Sequence, residues 1–287
     1  MQIDSSRVSF ASGAVCGEGT VLAVHGTDDG GRLVVVDETP FHPVDHGWPD
    51  QPGDTGRLSW PGGGTRVTAC LMAALSPDGA WHTGAEIPVR RGTEGWSWLV
   101  AHRTEGPAPE TGQRVLLHVD AEERAALNRG HTACHLAALA LNETLAELWS
   151  KPARPDSLGS PDFDGAACRA SRILPDGSQD EYRLGKSLRR SGLDTASLLE
   201  RLDEARERVN ARLTEWIGTG APVRVEAEGP GIVDLRHWVC ELPEGTARIR
   251  CGGTHVRSLG ELAAAEVELD SPEPQALVMR VRVRPSV

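Results

Sequence analysis

The chain has 287 residues, of which 39% are hydrophobic and 25% are charged, and these proportions are typical of a folded globular protein. A formal net charge of −11 argues against non-specific binding to nucleic acid, DNA included, although a local basic patch is compatible with an acidic protein. The chain has no apolar run of ~20 residues, no secretory signal pattern and no compact cysteine framework, so we expect a cytoplasmic protein without membrane contacts.

Short apolar runs separated by turns rich in Gly, Asp and Pro characterise the first part of the chain. The runs that predict strands cover residues 21–24, 33–36, 67–72, 96–100 and 115–119. Turn clusters such as Asp28-Asp29-Gly30-Gly31 separate them. This spacing predicts a small β-barrel-like domain over residues 1–118.

A helical pattern begins after Asp120, which has Glu123 three positions further on, as at a helix N-terminus. The pattern continues to about residue 148, and Gly130 predicts a bend, a junction or a close approach within it. A second, amphipathic helix is expected over 193–217. Strands are expected at 166–174, 180–184, 223–228, 249–250, 267–269 and 276–284. We therefore predict an α+β fold, with a second domain over residues 119–287 in which helices pack on an antiparallel sheet.

Two pairs of potential metal ligands stand about 120 residues apart in the chain. His131 and His135 are four residues apart in the predicted helix, so their rings share one face. Cys251 and His255 have the same spacing. Imidazole and thiolate are ligands that suit zinc, so these four residues predict a Zn²⁺ site. Chance pairing among 10 histidines, and Cys251 as a small buried hydrophobe, are the alternatives.

Three ordered motifs around these residues resemble those of the tRNA-editing domains of alanyl-tRNA synthetases and their free-standing AlaX-type relatives. Residues 131–136, His-Thr-Ala-Cys-His-Leu, resemble the H-T-A-x-H-L element, and residues 251–256 match C-G-G-T-H-V. Upstream, Thr39-Pro40-Phe41-His42-Pro43 and Gln51-Pro52-Gly53-Asp54-Thr55-Gly56 resemble a T-x-F-Y/H-P element followed by Q-P-x-D-x-G. The resemblance covers the chain from about residue 33 to 260.

One loop departs from the family pattern. Where the family has a glycine run before the glutamine, residues 44–50 read Val-Asp-His-Gly-Trp-Pro-Asp and are about three residues longer. This loop should border the substrate pocket, so His46 and Asp50 are candidate pocket residues. Solvated loop residues are the alternative interpretation for both.

The resemblance implies zinc-dependent hydrolysis of the ester of a misacylated tRNA, acting in trans. It places Thr39 near the β-hydroxyl of the amino acid and Gln51 in the pocket, although a threonine before Pro-Phe-His-Pro is also typical of a turn. The usual family substrates are seryl- and glycyl-tRNA for alanine. Because the loop is rebuilt, a threonine analogue is a second candidate, as in fluorothreonyl-tRNA deacylases, which are similar proteins.

Other functional classes remain compatible with the sequence. One is a non-enzymatic, zinc-containing module that binds tRNA or protein. Another is a zinc hydrolase of small esters or amides that shares the fold. A third interpretation keeps the zinc but gives it a purely structural role, since four protein ligands are typical of structural zinc.

The densest basic segment covers residues 182–192, with four cations and no acidic residue. Lys186, Arg189 and Arg190 within it are candidate contacts for tRNA phosphates, since Lys and Arg pair with backbone phosphates. A solvated surface turn is the alternative.

Overall fold

The computed structural model describes residues 3–286 and divides into two compact units. The first unit comprises the chain up to Arg124, Val225–Arg236 and Gly252–Thr254. The second unit comprises Ala125–Arg224, His237–Cys251 and the chain from His255 onward. Residues that are distant in sequence therefore belong to the same unit.

The first unit is mainly β-structure. Its strands are β1 Arg7–Val8, β2 Cys16–Gly26, β3 Arg32–Val36, β4 Glu38–Thr39, β5 Gly56–Trp60, β6 Gly63–Leu75, β7 Trp81–Thr83, β8 Ser97–Glu105 and β9 Arg114–Val119. Two 3₁₀ turns, Phe10–Ser12 and Gly84–Glu86, lie between them.

Six of these strands close into a barrel. They pair in the order β5-β9-β2-β3-β8-β6, and β6 pairs with β5 to complete the ring, while β7 extends from β6. Strand β9 shows which face lines the interior, because its valines and Leu117 are buried while the alternate residues face outward. The mixed α+β character predicted from the sequence is confirmed, with the barrel in the first part of the chain.

The second unit combines helices with two sheets. The helices are α1 Ala121–Thr144, α2 Phe163–Ala167, α3 Lys186–Arg190, α4 Thr195–Glu200 and α5 Leu202–Gly218. The strands are β10 Cys168–Leu174, β11 Gly177–Arg183, β12 Val223–Ala227, β13 Arg236–Leu242, β14 Gly245–Arg250, β15 Leu262–Asp270 and β16 Ala276–Pro285. Further 3₁₀ turns cover Ala146–Leu148 and Leu259–Glu261. The boundary between the units falls within α1, β12 and β13.

One sheet of this unit is antiparallel in the order β10-β11-β16-β15, and the other has the order β12-β13-β14. Helix α5 packs along β15. Its apolar stripe, including Val209 and Leu213, joins Leu136 of α1 and Met279 of β16 in one buried core. No helix within residues 3–286 combines the length and the apolar composition that crossing a membrane requires.

Helix α1 begins as predicted, because the Asp120 carboxylate accepts the Glu123 N–H at 3.1 Å. Helix α1 is continuous from Ala121 to Thr144, so no junction interrupts it at Gly130. Gly130 instead marks a close approach. A Cβ atom there would lie 2.4 Å from the carbonyl oxygen of Leu174 and 2.5 Å from that of Gly177.

The single helix predicted over 193–217 is also wrong. Arg201 leaves the helical region, with φ −112° and ψ 27°, and so separates α4 from α5. Asp194 caps α4 through the N–H groups of Ala196 and Ser197. Strands β1, β4, β5, β7 and β13 were not predicted; β1, β4 and β7 have only two or three residues, and β13 begins with a buried arginine, Arg236.

The close approach at Gly130 makes a testable prediction. An alanine in a helix interior normally gains about 1 kcal/mol over glycine. We expect Gly130→Ala to lower the free energy of unfolding by about 1–3 kcal/mol instead, because backbone atoms leave its methyl group no room. Gly218→Ala, at the end of α5 with open space around it, is the control and should be neutral or stabilising. Urea unfolding followed by circular dichroism measures both, and a more stable Gly130→Ala would contradict the close approach.

Candidate metal centre

Four side chains of the second unit converge on one point. His131 and His135 come from successive turns of α1, and Cys251 and His255 follow the end of β14. Their potential ligand atoms all lie within 4.8 Å of one another. The Cys251 Sγ atom is 3.4 Å from His131 Nε2 and 3.3 Å from His255 Nε2. The structure therefore brings together the four residues that the spacing singled out.

The two distances from Cys251 Sγ suit a tetrahedral metal ion. Zinc–nitrogen bonds of about 2.0–2.1 Å and zinc–sulfur bonds of about 2.3 Å put neighbouring ligand atoms about 3.5 Å apart. Both Cys251–His distances are close to that value. His131, Cys251 and His255 are between 1% and 9% exposed, so water competes little for their ligand atoms.

His135 gives a second indication of a metal site. The residue keeps some accessible surface, but its Nε2 atom is buried and has no hydrogen-bond partner among the described residues. Burial lowers the pKa of His135 to about 4, so the imidazole is neutral near pH 7, the form that binds metals. An unpartnered buried nitrogen is costly unless a ligand satisfies it. The donor set therefore fits a zinc ion.

Thr132, the second residue of the His-Thr-Ala-Cys-His motif, orients one of these ligands. Its hydroxyl oxygen lies 3.3 Å from His255 Nδ1 and accepts the N–H of Val256 at 3.3 Å. If Nδ1–H donates to Thr132, the Nε2 lone pair of His255 is left for the metal. The sequence analysis did not identify this residue as functional, although it lies inside the motif.

Gln51 is buried in the first unit and binds both polar groups of Thr254. Its Nε2 donates to Thr254 Oγ1 at 2.8 Å, and its Oε1 accepts the Thr254 N–H at 3.0 Å. Thr254 immediately precedes His255 in the chain. The side-chain amide of Gln51 thus restrains the segment between the two ligands Cys251 and His255.

Thr39 is fully buried in the first unit, and its hydroxyl has two partners. It accepts the N–H of Phe41 at 3.1 Å and lies 2.8 Å from His102 Nε2. The other ring nitrogen of His102 faces the Val34 carbonyl at 2.9 Å, so Nδ1 carries the proton and Nε2 accepts from Thr39. Burial lowers the pKa of His102 to about 4. The motif threonine is thus held by a neutral histidine that the sequence analysis missed.

The acidic residue of the same motif forms a buried ion pair. Asp54 and Arg124 are at most 2% exposed, and Arg124 Nε donates to Asp54 Oδ1 at 2.8 Å. Arg124 also donates to the Pro40 carbonyl at 3.0 Å, and Asp54 accepts the N–H of His42. The pair therefore links both halves of the upstream motif, and its burial makes the loss of one partner costly.

The rebuilt loop 44–50 is tied to the first unit by its polar residues. Asp45 pairs with Arg91 at 2.7 Å and also accepts the N–H groups of Gly47 and Trp48. The Arg91 guanidinium lies beside Gly252, 3.7 Å from where a Cβ atom would stand. Trp48 is 47% exposed.

His46 and Asp50, the candidate pocket residues of this loop, are both partly buried. His46 Nε2 lies 3.2 Å from the Val89 carbonyl, and its ring stacks on Trp98 with centroids 5.5 Å apart. Burial raises the pKa of Asp50 to about 6. These contacts give the loop a defined conformation.

The candidate tRNA contacts Lys186, Arg189 and Arg190 occupy the short helix α3, and all three are exposed. Arg189 Nη1 donates to the Leu184 carbonyl at 3.0 Å, and Lys151 Nζ donates to the Arg190 carbonyl at 3.0 Å. None of the three belongs to the metal group.

The chain is similar in sequence to alanine–tRNA ligases. It is 27% identical to the Thermotoga maritima enzyme over 259 residues, which is 85% of this chain and 24% of that enzyme. The corresponding values are 29% identity, 87% and 22% for Thermofilum pendens, and 30% identity, 91% and 25% for Frankia casuarinae. The chain thus spans about a quarter of the length of these relatives.

No protein-family model matches the chain. Among solved structures, a bifunctional dehydratase-cyclase domain in ambruticin biosynthesis is 14% identical, with 96% of this chain and 77% of that chain covered. Its TM-score of 0.14 is too low for any argument about fold.

The neutral, buried state of His102 predicts acid sensitivity. Between its folded pKa of about 4 and the ordinary value of 6.5, the unfolded chain binds the additional proton. The stability from this group is therefore complete above pH 6.5 and is lost as the pH falls toward 4. We expect His102→Gln to remove about 2 kcal/mol of the decrease in unfolding free energy between pH 7 and pH 5. Urea titrations at both pH values measure it, and an unchanged pH dependence would contradict the assignment.

Proposed function

We propose that this chain is a metal-dependent hydrolase that cleaves the ester of misacylated tRNA in trans. The observation that carries the proposal is the convergence of His131, His135, Cys251 and His255, which come from two motifs that resemble those of alanyl-tRNA editing domains. The similarity to alanine–tRNA ligases over most of this chain supports tRNA as the substrate. We further propose that the protein acts in the cytoplasm, where aminoacyl-tRNA is used.

A zinc ion held by these four residues would act as a Lewis acid on the ester carbonyl and make a water molecule a better nucleophile at neutral pH. Four protein ligands are typical of structural zinc, whereas catalytic zinc keeps a position open.

The protein residues around the ligands serve mainly to position them. Thr132 orients the His255 ring, and Gln51 restrains Thr254. Thr39 is fully buried and its hydroxyl is held by His102 and the Phe41 N–H, so we assign it the role of fixing the upstream motif. Small errors in such positioning are expensive, because a reacting group must be held close to its attack geometry.

We further propose that the substrate carries a β-hydroxy amino acid. Seryl-tRNA for alanine and a threonine analogue such as fluorothreonyl-tRNA for threonine are the two candidates. Shape alone separates amino acids that differ by one small substituent by only ~1–3 kcal/mol. The loop 44–50 adds polar groups, His46, Asp50 and the Asp45–Arg91 pair, that can provide the remaining discrimination.

The metal assignment predicts about one zinc ion per chain after purification. We expect His131→Ala or His255→Ala to lose most of the metal, because three ligands bind zinc more weakly than four. His237→Ala is a matched control from the same unit, since His237 bonds to Arg248 and is not part of the metal group. Elemental analysis by mass spectrometry gives the stoichiometry. Full activity in protein that lacks bound metal would contradict a zinc mechanism.

The substrate assignment is tested by measuring kcat/KM for deacylation of four substrates: seryl-, threonyl-, fluorothreonyl- and alanyl-tRNA. We expect β-hydroxy amino acids to be preferred by about tenfold or more over alanine. Replacing residues 44–50 by a shorter glycine run should shift the ratios among β-hydroxy amino acids by more than a factor of two, while zinc content stays unchanged.

Three outcomes would contradict parts of this proposal. A zinc-loaded protein that hydrolyses none of the four substrates but binds tRNA would be a binding module. Equal hydrolysis of small esters and aminoacyl-tRNA would indicate a hydrolase of small molecules. Unchanged ratios in the loop variant would place the specificity pocket elsewhere.

A further inference from the structure

A groove of ≈ 790 Å³ lies on the β10-β11-β16 sheet of the second unit. Strand β11 explains its polar wall, because Gln179, Glu181 and Arg183 alternate with buried residues and so face outward. Arg169 of β10 and Arg280 of β16 complete the basic lining. None of these residues belongs to the metal group.

Two arginines of this groove have no acidic partner. Arg169 and Arg183 are exposed, and neither forms an ion pair with any residue within 3–286. The exposed Arg208 of α5 differs, since it pairs with Glu147. What distinguishes them from other unpaired arginines is that both line one groove, where their guanidinium groups can bind an external anion together.

The basic character continues from the groove onto α3. Arg183 ends β11, and its Nε atom lies 3.5 Å from the position of a Cβ on Gly185, the residue that precedes α3. The exposed cations Lys186, Arg189 and Arg190 follow within one short helix. A row of cations therefore connects the groove with the basic segment identified from the sequence.

The lining favours a sugar–phosphate backbone over nucleobases. Its one aromatic residue, Tyr182, is 2% exposed and donates its hydroxyl to Asp164 at 3.0 Å, so its ring cannot stack on a base. The amides of Gln179 and Gln275 can bond to phosphate or ribose oxygens, and guanidinium groups bind phosphate through paired N–H donors.

We propose that this groove, together with α3, binds the phosphate backbone of the tRNA body. The inference rests on the proposed function for the identity of the RNA. The groove holds the substrate through its backbone, while the amino acid ester is recognised elsewhere. The acidic residues Glu181 and Glu273 in the lining limit the affinity, which suits an enzyme that must release each tRNA after hydrolysis.

The decisive variant is the double substitution Arg169→Gln/Arg183→Gln, with Arg154→Gln as the matched control. Arg154 is an exposed arginine of the same unit without an ion pair in the described chain, and it does not line the groove. Each protein is assayed on aminoacyl-tRNA and on aminoacyl-adenosine, which carries the same ester without the tRNA body. Binding of uncharged tRNA is measured in parallel as a function of salt.

We expect the double variant to raise KM for aminoacyl-tRNA on the order of tenfold, the loss of two hydrogen-bonded contacts. A plot of the logarithm of the tRNA association constant against the logarithm of salt concentration should become less steep by roughly 1.5, since each lost phosphate contact reduces the steepness by about 0.7–0.9. Turnover of aminoacyl-adenosine and the metal content should not change. Arg154→Gln should behave like the unmodified protein.

A variant that is expected to strengthen tRNA binding provides a second test, because misfolding would weaken binding. Glu181→Gln removes a negative charge from the groove, so it should lower KM for aminoacyl-tRNA and tighten the binding of uncharged tRNA. If the unmodified protein deacylates tRNA and neither groove variant changes KM or the salt slope, the groove assignment is overturned and the proposed function stands. If the unmodified protein deacylates nothing, the proposed function is overturned, and the binding data on uncharged tRNA decide the groove separately.

Discussion

The close contact between helix α1 and the β10–β11 turn is the constraint on which the candidate site depends. Gly130 lies so near the backbone of Leu174 and Gly177 that no side chain fits. The contact is reinforced where the Asp176 N–H donates to the Ala126 carbonyl at 3.0 Å and where Arg129 pairs with Asp176. His131 directly follows Gly130. This backbone contact therefore fixes the position of α1 on the β10–β11 turn, and with it the positions of His131 and His135.

The segment from Cys251 to His255 lacks regular secondary structure, and hydrogen bonds compensate for this. In the second unit, Thr132 bonds to the His255 ring and to the Val256 N–H. In the first unit, Gln51 bonds to both polar groups of Thr254. Ligands on a loop need such support, because metal sites tolerate little error in ligand position. The polar residues of the motifs therefore serve largely to hold other residues.

Several buried polar groups in the first unit have hydrogen-bond or ion-pair partners. The hydroxyl of Thr39 bonds to His102 Nε2, His102 Nδ1 bonds to the Val34 carbonyl, and the buried charges of Asp54 and Arg124 are paired. Burial keeps His102 neutral, as it keeps His135 neutral in the second unit. At the surface, Arg169 and Arg183 of the groove have no carboxylate partner within residues 3–286, whereas Arg201 and Arg208 share Glu147.

The sequence by itself determined the residue types and the local patterns. The i,i+4 pairs, the capping Asp120, most strands of both units and the basic segment could be predicted, because each depends on neighbours within one or two turns of chain. The single helix over 193–217 was predicted wrongly, and the sequence left Gly130 open between a bend, a junction and a close approach, because local propensity does not record which backbone lies opposite. Only the tertiary structure decided the pairs Gln51–Thr254, Thr39–His102 and Asp54–Arg124, whose members stand 203, 63 and 70 residues apart. Such contacts depend on how strands and helices pack, and hydrophobic periodicity specifies a buried face without specifying its partner.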